Sequence, residues 1–177
     1  MPEAEILHGR AEALPLQAAT VDCAVLRYVF QHLSDPAAAA RELRRVIRPG
    51  GVLVAIEVDA QLWGIAEPAF PEVAAIQAKV WRSQRARGGD RSVGRRLPAV
   101  FRAAGFADVG IRVYGYSSSE LGLDAFDVHL DPSQLEPHVA AGTITPAEYA
   151  TVVGAYRRFR ADPDAFVVLT GLAVSAR

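Results

Sequence analysis

The side chains best suited to chemistry gather where two apolar runs stop. Val52 to Val58 is apolar but for Glu57 and is followed at once by Asp59, and Val21 to Leu26, interrupted by Asp22, leads into Arg27 and Tyr28. Open α/β sheets bind ligands beyond the carboxyl ends of their strands. Glu57, Asp59 and the nearby Trp63 are therefore candidate substrate contacts, the alternative for the two acids being solvated loop carboxylates. His32 has an ordinary pKa suited to proton removal near neutrality, and it also reads as a packing residue at a helix entry. Trp63, Phe70, Trp81, Tyr114 and Tyr116 either line an apolar pocket or lid or belong to the core. His8, His129 and His138 are too scattered to form a ligand set with Cys23, so no metal is predicted.

The elements that must position these groups centre on Arg41 to Asp59. Leu43, Val46 and Ile47 form one stripe of a helix whose other side carries Arg41, Arg44, Arg45 and Arg48. Pro49, Gly50 and Gly51 predict a tight turn after it. The strand that follows is apolar on both faces, the pattern of a strand covered by helices on each side. Asp35 before Pro36 is the N-cap of the preceding helix. Strand 21–26, helix and strand 52–58 thus make a right-handed parallel βαβ unit. Glu5 to His8 reads as the end of a further strand, Gly9 to Leu16 as a loop and Gln61 to Pro71 as another.

Helices are predicted over Glu72–Arg87, Arg96–Ala104 and Pro132–Ala141, with strands over Val109–Tyr116 and Ala165–Ala176. Ser117 to Leu130 has no clear pattern. Thr145-Pro146-Ala147-Glu148 is a capping box that opens a helix reaching Arg160.

The chain's 177 residues suit one domain, and 51% hydrophobic against 22% charged residues is a globular balance. A formal net charge of −1 gives no global field for nucleic acid or an anionic membrane. The arginine-rich Arg82 to Arg87 lacks interleaved aromatics and reads as a solvated helix face. Cys23 is the only cysteine, which excludes an internal disulfide and agrees with a reducing cytoplasm. No apolar run has transmembrane length.

Four stretches in order carry a resemblance: Gly9-Arg10-Ala11-Glu12-Ala13-Leu14-Pro15-Leu16, Val21-Asp22-Cys23-Ala24-Val25, His32-Leu33-Ser34-Asp35-Pro36 and Leu43-Arg44-Arg45-Val46-Ile47-Arg48-Pro49-Gly50-Gly51. Together they resemble the class I S-adenosylmethionine-dependent methyltransferases, in particular the ubiquinone and menaquinone methyltransferase group. Ala103 to Val109 and the last apolar strand resemble the family's later steps. The resemblance implies an α/β fold: the second half of a seven-stranded Rossmann-like sheet, its last strand antiparallel, with flanking helices. It implies S-adenosyl-L-methionine as cofactor, Ala11, Glu12, Arg27 and Tyr28 as cofactor contacts, His32 near the reacting centre and a small-molecule acceptor.

The chain departs from the family at its start. The family's glycine-rich cofactor loop and the acidic residue that holds the ribose should precede residue 6, and no G-x-G-x-G stretch occurs elsewhere. Arg10 stands where an aspartate is usual, and arginine cannot accept a hydrogen bond from adenine. The expectation is a single methyltransferase-like domain over 1–177, incomplete at its N-terminus, with 61–95 and 117–161 as helical or lid insertions. In the family's strand order, 3-2-1-4-5-7-6, the strand at 21–26 would be an edge. A homodimer or a separate N-terminal half is expected to cover it. The opposing expectation is a non-catalytic remnant acting as a binding or assembly module.

Overall fold

The computed structural model describes residues 4–62 and 64–177. Its centre is a mixed sheet. Strand β1 (Val21–Arg27) is followed by a single 3-10 turn at Phe30–His32 and helix α1 (Pro36–Val46). Asp35 caps α1 by accepting a 2.8 Å hydrogen bond from the Ala38 amide, with Pro36 at the first helical position, as the sequence predicts. Strand β2 (Ile47–Glu57) returns parallel to β1. This is the predicted βαβ unit.

The predicted turn at Pro49 to Gly51 proves to be a bulge within β2. Val21 pairs with Ile47 but Cys23 with Val52, so Arg48 to Gly51 loop out of register. Gly50 takes φ +80°, and a Cβ on Gly51 would lie 2.9 Å from the Asp22 carbonyl oxygen, so both glycines are required.

Next come β3 (Gly64–Glu67), α2 (Pro71–Ala86), α3 (Leu97–Ala103) and β4 (Gly110–Ser117). Four short helical segments follow: α4 (Ser118–Leu121), a 3-10 turn at Leu123–Phe126, α5 (Asp127–Leu130) and a 3-10 turn at Pro132–Leu135. Helices α6 (Glu136–Ala140) and α7 (Pro146–Ala161) lead to the last strand, β5 (Phe166–Ala176). The predicted capping box opens α7, with Thr145 and Glu148 exchanging hydrogen bonds.

Strand β5 runs antiparallel to its neighbours, with β4 on one side and β2 and β3 end to end on the other. Strand β3 corrects the reading of 61–71 as a loop. It is four residues of glycine, alanine, isoleucine and glutamate, a weak strand composition. It pairs closely because Gly64 has no Cβ, which would lie 2.1 Å from the Val168 carbonyl oxygen. Residues 5–8 form no strand, and Ile6 and Leu7 are exposed. With neither glycine nor turn chemistry to fix a partner, the apolar pair alone does not build one.

Alternation decides which face is covered. Leu53, Ala55 and Val174 are fully buried and join Ala39, Ala40, Leu43 and Val46 of α1 and Leu97 and Phe101 of α3 in the main core. On the opposite face Val52, Val54 and Ile56 are only half-buried, and Val25, paired with Val54, is 64% exposed. The predicted two-sided cover of β2 is thus corrected to one side among the described residues. A second core, Phe126, Phe159, Val167 and Leu169, lies at the other end of β5, and a third joins Ile76 and Val80 of α2 to Val152 of α7.

Candidate active site

Strand β1 delivers Tyr28 in an unusual backbone state. Its φ is +57°, a left-handed conformation rare for a bulky side chain, and its amide donates a 2.8 Å hydrogen bond to the Ile56 carbonyl. The Arg27 guanidinium lies 4.8 Å from the centre of the Tyr28 ring. On β4, Tyr114 and Tyr116 stand on one side of the strand with ring planes 7° apart. Burial and contact with Tyr28 raise the pKa of both phenols, so they stay protonated donors. Tyr116 Oη is 3.3 Å from His129 Nε2. Arg27 and Tyr28 are thus brought together with two aromatics from a distant stretch of chain.

The loop carrying Ala11 and Glu12 is fastened to α1. Glu42 accepts a 2.8 Å hydrogen bond from the Leu14 amide, and Arg45 donates to the Leu14 and Leu16 carbonyls. Glu12 lies 3.6 Å from Arg10 and is itself 19% exposed.

Glu57 and Asp59 are both fully buried, which corrects the reading of them as solvated loop carboxylates. Glu57 Oε1 accepts from the Phe30 amide at 2.6 Å and so holds the turn after Tyr28. Burial raises its pKa to about 7, opposed by the amides of Phe30, Val29 and Gln31 and by the charge of Arg91. Asp59 accepts from both Nε and Nη2 on one edge of the Arg95 guanidinium and accepts a 3.0 Å bond from the Gln61 amide. Burial alone would raise its pKa, and the Arg95 fork outweighs this and holds it below the ordinary value. Neither acid is among the residues lining the two cavities that follow, and each instead fixes backbone or an arginine around the end of β2. Trp63, the third expected contact, lies outside the described residues.

Two adjoining cavities open beyond these groups. The larger, about 440 Å³, lies between β3, α2, the 129–138 segment and α7, with Phe70 and Trp81 among its lining residues. The smaller, about 230 Å³, is lined by His32, Val80, Gln84, Arg87, Gly89, Arg91 and His138. Val80, Arg91 and His138 belong to both. His32 Nδ1 is 3.3 Å from Gln84 Nε2, and partial burial, then the charge of Arg91, lower its pKa. It is therefore neutral at pH 7, able to accept a proton. Among the described residues no group of three or more His, Cys, Asp or Glu could hold a metal, and no helix is long and apolar enough to cross a membrane.

The sequence does not single out Arg91 or Gln84, and it offers His138 only as a rejected metal ligand. Gly88-Gly89-Asp90 marks a helix break, but nothing in the residue pattern shows that Gly89 passes over the Phe30–His32 turn. A Cβ there would lie 2.8 Å from the Gln31 carbonyl oxygen.

A parallel β1–β2 pair, an antiparallel final strand and a cleft at the carboxyl ends define a Rossmann-like α/β fold of the methyltransferase kind. Residues 1–55 match the family model described as a methyltransferase domain. Over those residues, about a third of the chain, the sequence is similar to the methyltransferase domains of that family.

An uncharacterized protein of transposon TN4556 from Streptomyces fradiae is 38% identical over 109 residues, covering 60% of this chain and 30% of that protein. The demethylmenaquinone methyltransferase of Geobacillus stearothermophilus is 27% identical over 135 residues, covering 67% of this chain and 56% of the enzyme. The chain thus spans about half the length of that enzyme, and less of the transposon protein. The YcgJ protein of Bacillus subtilis shares the fold with a TM-score of 0.51 at 15% identity, over 96% of this chain and 69% of that one.

Proposed function

We propose that this chain takes part in S-adenosylmethionine-dependent methyl transfer to a small molecule seated in the larger cleft. The observation that supports it most is that Arg27 and Tyr28 close the carboxyl end of β1, with Tyr28 held in a left-handed backbone state, within the same segment 1–55 that holds Ala11 and Glu12 and matches the family. The residues present fit one side of the cofactor. Glu12 keeps a partly exposed carboxylate, able to accept from an adenine amino group even though Arg10 cannot. Tyr28 would meet the sulfonium end, and Glu57, through the Phe30 amide, fixes the turn that follows it. No G-x-G-x-G stretch occurs within residues 1–177, so the groups named here account for one side of the cofactor only.

When bound, S-adenosylmethionine supplies a methyl group on a sulfonium that loses its charge as the methyl leaves. The chain's own part is to orient the acceptor, exclude water and, through neutral His32, accept the acceptor's proton. Isothermal titration with S-adenosylhomocysteine tests the reading. Saturable heat, weakened by Tyr28→Ala and by Glu12→Ala, supports it. No heat at millimolar ligand overturns cofactor binding by this chain alone.

A second reading, a binding or assembly module, draws on the half-bare face of β1 and β2. Val25 and its half-buried neighbours Val54 and Ile56 are apolar surface that a partner would bury. In either reading we propose that a second copy of the chain, or a separately encoded N-terminal half, covers β1.

A further inference from the structure

Arg91 stands at the wall shared by the two cavities, and its surroundings differ sharply on the two sides. The larger cavity is mostly apolar, with Ile65, Phe70, Val80, Leu135, Val152 and Leu169 in its lining. The smaller one presents the guanidinium groups of Arg87 and Arg91, the imidazoles of His32 and His138 and the Gln84 amide, and no carboxylate among the described residues. An apolar chamber thus opens onto a basic annex.

The charge of Arg91 is not consumed locally. Its Nε donates to Gln84 Oε1 at 2.9 Å, which orients the guanidinium, and among the described residues no ion pair closes on it. Gln84 is in turn anchored by donating from Nε2 to the Gln31 carbonyl at 3.0 Å, so the annex is tied to the turn that follows Tyr28. The acid coupled to Arg91 is Glu57, which is fully buried and already accepts from Phe30. With its pKa near 7 it is only partly ionised at neutral pH. Asp131, the carboxylate lining the larger cavity, caps its own turn through the Ser133 amide at 2.7 Å. His32 and His138 are lowered by burial and by neighbouring arginines, so they add hydrogen-bonding groups without adding charge. Holding a half-buried guanidinium against an apolar chamber costs solvation that an incoming anion restores.

We propose that the molecule seated here is an amphipathic anion. Its apolar body fills the larger cavity, and its carboxylate or phosphate enters the annex, where Arg91 is the principal binding residue and Arg87 the second cation. Guanidinium donors match the planar oxygens of either group. The proposal names the acceptor class for the methyl-transfer reading and rests on that reading for the acceptor's role, but the binding itself needs no methyl donor.

The test is equilibrium binding of 1-naphthoate, 1-naphthyl phosphate and the neutral 1-naphthamide to the whole chain without S-adenosylmethionine. At least one anion is expected to bind about tenfold more tightly than the amide, the difference a single charge-assisted contact of about 1.4 kcal/mol gives. The tighter anion identifies the headgroup. Arg91→Met should erase the preference while leaving amide affinity within about twofold, and Arg91→Lys should keep part of it. Circular dichroism checks that each variant folds, and Arg87→Gln supplies a milder loss if Arg91→Met does not. Equal binding of amide and anions, no binding of any probe, or an anion preference that survives Arg91→Met or, in its place, Arg87→Gln overturns the proposal. Loss of cofactor heat with anion preference intact would instead remove the methyl-transfer reading alone.

Discussion

Glu57 Oε1 accepts a 2.6 Å hydrogen bond from the amide of Phe30, while its Oε2 is buried without a partner among the described residues. Half of this carboxyl is therefore satisfied only when it carries a proton or meets a further donor, which is the physical reason for its raised pKa. The folded-state pKa of about 7 lies above the ordinary 4.5. Between those values the folded protein binds the proton that the unfolded chain releases, so stability falls as pH rises through that window and levels off above it. The loss is at most about 3 kcal/mol. Glu57→Gln keeps an acceptor for Phe30 and mimics the protonated form. Urea unfolding at pH 5 and pH 8 should show wild type losing stability and the variant losing much less. Parallel pH profiles for the two proteins would refute this.

Asp59 and Arg95 form the complementary case, an acid kept charged. The carboxylate is fully buried and the arginine 43% exposed, so the pair anchors the end of β2 to the turn before α3. Because its pKa is held below the ordinary 3.8, its contribution is complete above that value and fades as pH drops further. Arg95→Met leaves the carboxylate uncompensated and should cost about 3 kcal/mol in denaturant unfolding at pH 7. Adding Asp59→Asn should restore most of it. A loss below about 0.5 kcal/mol would show that solvent already screens the pair.

Glu42 controls the loop of Ala11 and Glu12. Its Oε1 takes the Leu14 amide and also pairs with Arg45, which donates to two loop carbonyls. Glu42→Ala releases both anchors and should cost about 1 kcal/mol of stability. The sharper signature is local: hydrogen exchange at Leu14 should accelerate while Leu53, deep in the sheet, keeps its protection. Uniform acceleration across both would mean the loop is not an independently held unit.

Much of the scaffold was readable because its signals are local. Asp35-Pro36, the Thr145 to Glu148 box and the apolar run into β2 each fix their own structure within a few residues, and the structure has all three. What stayed hidden depends on distant approach. Strand β3 exists because Gly64 admits β5 where a Cβ could not fit, a fact that resides in Val168 rather than near residue 64. The burial of Glu57 and Asp59 follows from Phe30 and Arg95, 27 and 36 residues away. Arg91 carries no local signal in the sequence, and its place at the cavities depends on the approach of Gly89 and Asp90 to the distant Gln31 carbonyl. Periodicity also suggested helices on both faces of β2, because an apolar face is legible in sequence and its cover is not.

Val25 offers the test of what covers that face. It is 64% exposed, opposite Val54 in the β1–β2 ladder, on the last strand of the sheet path. Apolar surface beside unpaired backbone groups favours association. If a second copy of the chain buries it, light scattering should report a dimer that Val25→Lys converts to monomer, because a buried lysine costs far more than one in water. The substitution should leave the unfolding free energy of the monomer within about 0.5 kcal/mol, since the site is exposed there. If a separate N-terminal half supplies the cover, the wild-type chain should be monomeric alone, and Val25→Lys should weaken its capture of that half. A monomer whose β1 amides are as protected as those of β2 in hydrogen exchange, with no change in Val25→Lys, would mean the face needs no cover.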